Sequence, residues 1–557
     1  MGDRNVNGKS ILACTAVLAI CALSASAGTI QVGPTRTYTT IAAGVAAAAA
    51  GDTIEIDSGT YTGSQCLASI GKNNLTLRGV GPTRPVLDAN QMAQSKKGIF
   101  VISGSNCTVE NLEFKNCYVA PVDGYNGAGI RQEGANLTVR YCWFHHNQNG
   151  ILANASSGNI LIEYSEFNHN GIGDPGQTHN MYINACTSFT LQHCYVHDAV
   201  EGHEVKTRAL NNKILYNLIH SEGTGSREIQ IAQGGVAYII GNVIRQGPNT
   251  HNSEIIAYGG EGTNANPYLY IVNNTIINER PNGATVLMKN NSTAAGTALM
   301  QNNVIQVPYG NEVLIGGSGG GVVTQVTNWI TTNANLANVP AHDYRLTAAS
   351  IGALNAGTAL GFGFNSYPLT PVYQYVHPTA RENRPTDSII DIGAYEYAVA
   401  NQDPAVDAGP DVTAVYEGRP VALHAAGSDP DPGDTLSYLW TQTAGKAVSL
   451  SGADTADVSF TAPALTSKAE SLLTLQVQVS DGNGGQASDS VSVQVYMKGD
   501  ATRDHKVNVF DLQRLSASWN KNQGQAGYDA ACDFTGDNKV NVFDLQAMGV
   551  NWNKTLP

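Results

Sequence analysis

The chain has 557 residues, 42% apolar and 14% charged, enough for roughly three or four packed domains and unlike a disordered polyelectrolyte. Lysine and arginine total 31 against 45 acidic residues, and the formal charge of −14 argues against a nucleic-acid partner or an anionic membrane surface. The 59 glycines follow no three-residue period, which excludes collagen.

Residues 1–27 carry the marks of a secretory signal. Arg4 and Lys9 supply the positive end. Residues 11–23 form an apolar run too short for a comfortable span, and Ala25-Ser26-Ala27 is an A-x-A cleavage site. No later stretch is long and apolar enough to cross a bilayer, so the expectation is a secreted, extracellular or surface-associated protein. Cys14 and Cys21 leave with the signal. Seven cysteines remain, an odd and scattered set that reads as core filler, Cys142 and Cys194 included.

Residues 28–398 are built of repeats. NCTVENLEF (106–114), NLTVRYCWF (136–144), NILIEYSEF (159–167) and SFTLQHCYV (188–196) lead to further copies ending at ALMQNNVIQ (298–306). Polar corners fall at Asn111, Tyr141, Tyr164, His193, Asn217, Asn242, Asn274 and Asn303, spaced 23 to 32 residues apart. Each copy holds short strands of period two. A unit this small cannot bury its own apolar face, so the units must stack, one strand above the next, as a parallel β-helix. Asparagine suits the corners because it tolerates left-handed dihedrals and can hydrogen-bond to the next coil. An alanine-rich helix near residues 41–50 precedes GDTIEIDSGTY, read as the first strand, and covers the open end. These residues, with the closing DIGAYEY (391–397), resemble the ends of right-handed β-helix proteins of the pectate-lyase-like superfamily.

HNMYINA (179–185), HEVKTRA (203–209), REIQIAQ (227–233) and HNSEIIA (251–257) align at a spacing of 24. Period two then turns Met181, Val205 and Ile229 inward. It turns Asn180, Tyr182, Glu204, Lys206, Arg208, Glu228, Gln230 and Glu254 outward, beneath a column of His179, His203, Arg227 and His251. Coils stack about 4.8 Å apart, so these groups share one patch. The bland reading is a solvated face of ion pairs such as Glu204 with Lys206 and Glu228 with Arg208. The chemical reading is β-elimination on a uronic acid, which needs a base for the C5 proton, a cation for the carboxylate and an acid for the leaving oxygen. The patch resembles that of polysaccharide lyase family six, which uses a lysine and an arginine one coil later. The resemblance implies Lys206 as base, Arg227 as acid, and Arg208, His203 or a calcium ion as neutraliser, with Glu201 as the counterpart of a calcium ligand. Glu204, Glu228 and Glu254 keep a glycoside hydrolase open. His179, Asn180, Tyr182, Gln230 and His251 would bind the polysaccharide. A non-catalytic, glycan-binding β-helix is the third reading.

Residues 401–496 alternate short strands with turn clusters, the pattern of a β-sandwich with Trp440 in its core. SDPDPGDTLSYLW and VSDGNGG resemble PKD-type, immunoglobulin-like modules. In residues 498–557, KVNVFDLQ occurs twice. Each copy completes an oxygen-ligand loop at positions 1, 3, 5, 7, 9 and 12. The first comprises Asp500, Thr502, Asp504, the Lys506 carbonyl, Asn508 and Asp511. The second comprises Asp533, Thr535, Asp537, the Lys539 carbonyl, Asn541 and Asp544. The tandem loop–helix pair resembles type I dockerin and implies two calcium ions and a cohesin-type partner. Val509-Phe510 and Val542-Phe543 stand where cellulosomal dockerins often present a hydroxyl pair. The expected fold class is all-β: a right-handed parallel β-helix, a β-sandwich and a small α-helical calcium-binding dockerin.

Overall fold

The computed structural model describes residues 27–155, 158–174, 176–262, 264–282, 285–289, 297–310, 313–317, 323–386, 389–397, 401–431 and 434–557. The signal segment 1–26 lies outside them. Contacts divide the chain into two compact units, Met1–Ala398 and Val399–Pro557.

The first unit is a parallel β-solenoid with three faces. Among the described residues one face has 12 strands, from Thr29–Val32 to Val323–Val326. The second has 10, from Ala68–Ile70 to Val313–Gly316, and the third has 11, from Thr60–Thr62 to Trp329–Thr331. Every neighbouring pair on these faces is parallel. Period two sends alternate side chains into the coil, where like residues stack: the Phe144 ring lies 4.7 Å from both Phe114 and Phe167. The seven described cysteines are free and buried.

Helix Ile41–Ala47 starts at the cap Thr40, whose hydroxyl accepts from Ala43 N–H, and it buries Ile41, Gly44 and Val45. The Lys72 ammonium closes its other end on the carbonyls of Val45, Ala46 and Ala48. The first strand is Thr29–Val32, not the GDTIEIDSGTY segment, which supplies its parallel neighbour Thr53–Asp57. The sequence hides this strand because it lies before the helix that interrupts the pattern.

The corners split into two roles. Asn111, Tyr141, Tyr164 and His193 are the left-handed residues, but in later coils that role falls to Tyr216, Gly241, Asn273 and Asn302. Asn217, Asn242, Asn274 and Asn303 follow one residue later and build an internal ladder. Each Nδ2 donates to the next Oδ1, at 2.9, 3.0, 3.0 and 2.8 Å, ending on Asn328. Residues 334–386 and 389–397 then return along the outside of the coils. They bury Tyr344, Tyr375 and Tyr395 against Tyr195, Leu218, Val243 and Ile277, and the Arg384–Glu396 ion pair (2.7 Å) is enclosed there.

In the second unit the short pair Ala405–Asp407 and Ala426–Ser428 accompanies a sheet of Val412–Tyr416, Ser437–Ala444, Leu472–Ser480 and Gln486–Tyr496 and the antiparallel pair Pro420–His424 and Asp457–Thr461. Trp440, 2% exposed, fills its core. Helices Val509–Ala517 and Val542–Val550 follow, and Leu515, Phe534 and Met548 join the same apolar cluster. Among the described residues no helix is long and apolar enough to cross a membrane.

Candidate functional site

Register on the second face carries Arg131 to Leu152, Tyr182, Lys206 and Gln230. Arg131, Leu152, Tyr182 and Lys206 line a cleft of about 310 Å³ together with His179, Asn184, Arg208 and the loop residues Asn126 and Gln177. The Lys206 ammonium sits 5.6 Å and the Arg208 guanidinium 5.2 Å from the Tyr182 ring centre. Arg208 donates to the Tyr182 hydroxyl. Burial pulls Lys206 below the ordinary lysine range, against the pull of Glu261. Burial also raises Tyr182.

Glu261 and Arg131 are the residues that the sequence reading missed. Glu261 pairs with Lys206 at 3.1 Å and also with Arg208. Its loop, Gly259-Gly260-Glu261-Gly262, has left-handed glycines on both sides, at φ +101° and +143°, and no repeat signal marks it. Arg131 could have been found by extending the aligned column two coils back.

The outward placement of Asn180, Glu204 and Glu228 is corrected. They are at most 1% exposed and form a polar column inside the coil, where the third face turns into the second. Asn180 donates to Glu204 and to the His197 carbonyl. Glu204 accepts from Ala199 N–H at 2.9 Å, and Glu228 accepts from Ser221 Oγ at 2.7 Å and Gln246 at 3.1 Å. Lys206 and Arg208 therefore pair with Glu261 instead of Glu204 and Glu228.

Burial raises Glu204 well above its usual range and pushes Glu228 up to about 8. Between the ordinary value of 4.5 and 8, folded Glu228 keeps a proton that the unfolded chain releases, so stability falls as pH rises through that window. Glu228→Gln is expected to melt above the parent at pH 8, by a margin that shrinks toward pH 5. Thermal scans at the two pH values check this.

The histidine column is shorter than expected. His179 and His203 stack at 5.0 Å, and each Nδ1 accepts from the backbone N–H one coil on, His203 and Arg227 respectively, at 3.1 Å. Burial pushes His179 down to about 3, so its imidazole is neutral. The turn before the fourth coil is three residues longer, and Ile229 pairs with Ile256. His251 is exposed as a result, and Glu254 takes the column position instead. There it pairs with Arg227 at 3.0 Å. Arg227, His203, Gln230, His251, Glu254 and Glu201 do not line the cleft, and among the described lining residues there is no carboxylate.

The tail presents two cation-ready clusters. Asp500, Asp504 and Asp511 bring carboxylate oxygens within 4.8 Å of one another, as do Asp533, Asp537 and Asp544. An all-oxygen donor set at this density fits a hard cation such as calcium. Burial, with like charge from Asp511 and Asp504, pushes Asp500 up to about 6, a crowding that a dication relieves. Thr502 and Thr535 donate their hydroxyls to Asp511 (2.8 Å) and Asp544 (3.0 Å). The Asn508 and Asn541 oxygens accept from Phe510 and Phe543 N–H, so they cap the two helices. Lys506 and Lys539 direct their N–H groups to Asp504 and Asp537 at 3.0 Å. His505 takes the left-handed conformation of its counterpart Asn538, at φ +63° and +62°, with its ring stacked on Tyr496 at 5.3 Å.

Residues 69–244 match the family profile of the right handed beta helix region, residues 408–495 that of a PKD domain, and residues 498–549 that of the dockerin type I domain. No curated protein matches the chain. Similar solved structures include a nucleoside hydrolase-related hypothetical protein from Saccharophagus degradans associated with carbohydrate metabolism. It is 24% identical, with 17% of this chain and 26% of that one covered and a TM-score of 0.15, so the chain spans about a quarter of its length. A pectin methylesterase mutant in complex with a hexasaccharide is 13% identical, covering 58% and 96%, with a TM-score of 0.26. The enzymatically active domain of tailspike protein 2 of bacteriophage CBA120 is 10% identical, covering 80% and 72%, with a TM-score of 0.20. A β-helix joined to a dockerin points to a secreted carbohydrate-active protein. The three profiles and the stacked coils together make the chain a right-handed β-helix protein that carries a PKD domain and a type I dockerin domain.

Proposed function

We propose that the cleft on the second face binds a uronic-acid-containing polysaccharide and cleaves it by β-elimination. The observation that carries the reading is a lining of Lys206, Arg208, Arg131 and Tyr182 with no carboxylate among its described residues. Arg208 and Arg131 neutralise the substrate carboxylate and so acidify the C5 proton. Lys206 in its deprotonated form removes that proton, the electron pair becomes the C4–C5 double bond, and the C4–O bond breaks. The Tyr182 hydroxyl, held by Arg208, protonates the departing oxygen, a role that the cleft supports better for Tyr182 than for Arg227.

Hydrolysis needs two carboxylates flanking the bond. Glu204 and Glu228 are enclosed in the coil, and Glu254 is paired with Arg227 away from the cleft lining, which disfavours that alternative. The deciding experiment offers alginate, pectate, chondroitin sulfate and glucuronan to the full chain. New reducing ends together with the ultraviolet absorbance of unsaturated uronate are expected. Reducing ends without absorbance would replace the lyase by a hydrolase, and retained binding without either signal would leave a glycan-binding protein.

Glu261 holds the cations that a substrate carboxylate must meet. Glu261→Gln is expected to lower KM several-fold. It also removes an interaction that raises Lys206, so the rise of activity with pH moves to lower pH. Initial rates across pH check both shifts. For the tail, exposed Val509, Phe510, Val542 and Phe543, each 58–66% exposed, favour an apolar contact with a cohesin-type partner.

A further inference from the structure

Four of the 13 histidines meet on the third face, outside the cleft. His197 and His220 come from successive coils, whose strands pair His197 with His220 directly. His342 and His377 come from the returning segment more than 100 residues later, with ring centres 5.4 Å (His220 to His342) and 4.8 Å (His342 to His377) apart. His197, Asp198 and His220 bring ligand atoms within 4.8 Å of one another.

The geometry points to a binding site for a divalent transition metal of the zinc class, held by His197, Asp198 and His220.

Two nitrogens and one oxygen are a borderline donor set, which suits zinc better than calcium. A second, independent observation is the state of the rings. His220 is 1% exposed, and among the described residues its Nδ1 has no hydrogen-bond partner. The Nδ1 of His342, beside it, is likewise buried and unpartnered. A buried imidazole nitrogen without a partner costs free energy that a metal bond would recover. The support around the ligands is also that of a metal centre. Glu166 lies 3.5 Å from His197 Nε2, the carboxylate behind a histidine that fixes its ring. Asp198 accepts from Glu222 N–H at 2.9 Å, which orients its carboxylate. Arg245 approaches His220 Nε2 at 3.3 Å, but its charge is answered by Glu222 (3.1 Å) and Glu279 (3.0 Å), so the surroundings stay negative.

The test titrates Zn²⁺ into the full chain in excess Ca²⁺, which occupies the tail loops. One equivalent of Zn²⁺ is expected, and Co²⁺ in its place should give a visible d–d band. The double variant His197→Ala/His220→Ala is expected to lose at least about 100-fold in Zn²⁺ affinity and to lose the band. No Zn²⁺ binding in the parent, or unchanged affinity in the double variant, overturns the proposal. Should the double variant misfold by circular dichroism, Asp198→Asn decides, because it keeps the size and the acceptor toward Glu222 N–H. Unchanged affinity in that variant overturns the site equally, and weakened affinity supports it.

Discussion

Lys206→Ala is expected to lower kcat on the responsive polysaccharide by about 10³-fold, within the range for loss of a general base. The fold should survive the change. Glu261 keeps its pairing with Arg208, so no carboxylate is left buried alone. The truncated side chain opens onto the cleft and not into the core, so no closed cavity forms. Lys206→Arg separates two explanations. Arginine restores the positive charge but stays protonated at any accessible pH, so it cannot serve as the base. The elimination reading expects both variants to be equally slow. A lysine that only attracts anionic substrate would be rescued by arginine, with the loss in alanine confined to KM. Activity in the parent should rise with pH over a range below that of an ordinary lysine, because burial lowers the group. Steady-state kinetics of the three proteins, with circular dichroism for folding, measure all of this.

The solenoid was legible because its information is periodic. Strand alternation, corner spacing and a coil of 23 to 32 residues all recur in the sequence, and stacking follows from the need to bury one face. The tail loops were legible for the same reason, since KVNVFDLQ occurs twice. What failed was the step from period to direction. Glu204 and Glu228 sit where period two predicts an outward side chain. Their strands begin only at Val205 and Ile229, so the residue before each lies outside the strand, where strict alternation no longer applies. His251 failed by a length change: three added residues slid the fourth coil and set Glu254 beside Arg227. Glu261 was out of reach altogether. It comes from a glycine-rich loop, and only the folded path of the chain brings it to Lys206. The candidate site is thus half a property of the repeat and half a property of its irregularities, which is where solenoids place their binding groups.

Asn242→Ala is expected to destabilise the first unit by about 3–5 kcal/mol, far beyond what its lost volume would cost. The residue is fully buried. Its Nδ2 donates to Ile214 O at 2.8 Å, Ile240 O at 3.2 Å and Asn274 Oδ1 at 3.0 Å, and its Oδ1 accepts from the N–H and Nδ2 of Asn217 at 2.9 Å each. Alanine would leave the Asn217 N–H and the Ile214 carbonyl in the interior without this partner, and no water reaches a core of this density. Asn242→Asp is the discriminating variant. It keeps the shape and the acceptor, but it aims a second oxygen at two carbonyls and at Asn274 Oδ1, so it should be as damaging as alanine. If the ladder only filled space, aspartate would be tolerated. Earlier coils provide the contrast. There the same column holds Leu112, Cys142, Ser165 and Cys194, and only the last meets the ladder, through its N–H to Asn217 Oδ1 at 2.9 Å. Cys142→Ala removes one buried sulfur and no ladder bond to asparagine, so its cost should stay near about 1 kcal/mol. Denaturant midpoints of the two alanine variants should therefore differ several-fold in their displacement from the parent. Equal displacement would mean that stacking alone, and not the asparagine ladder, holds the coils in register.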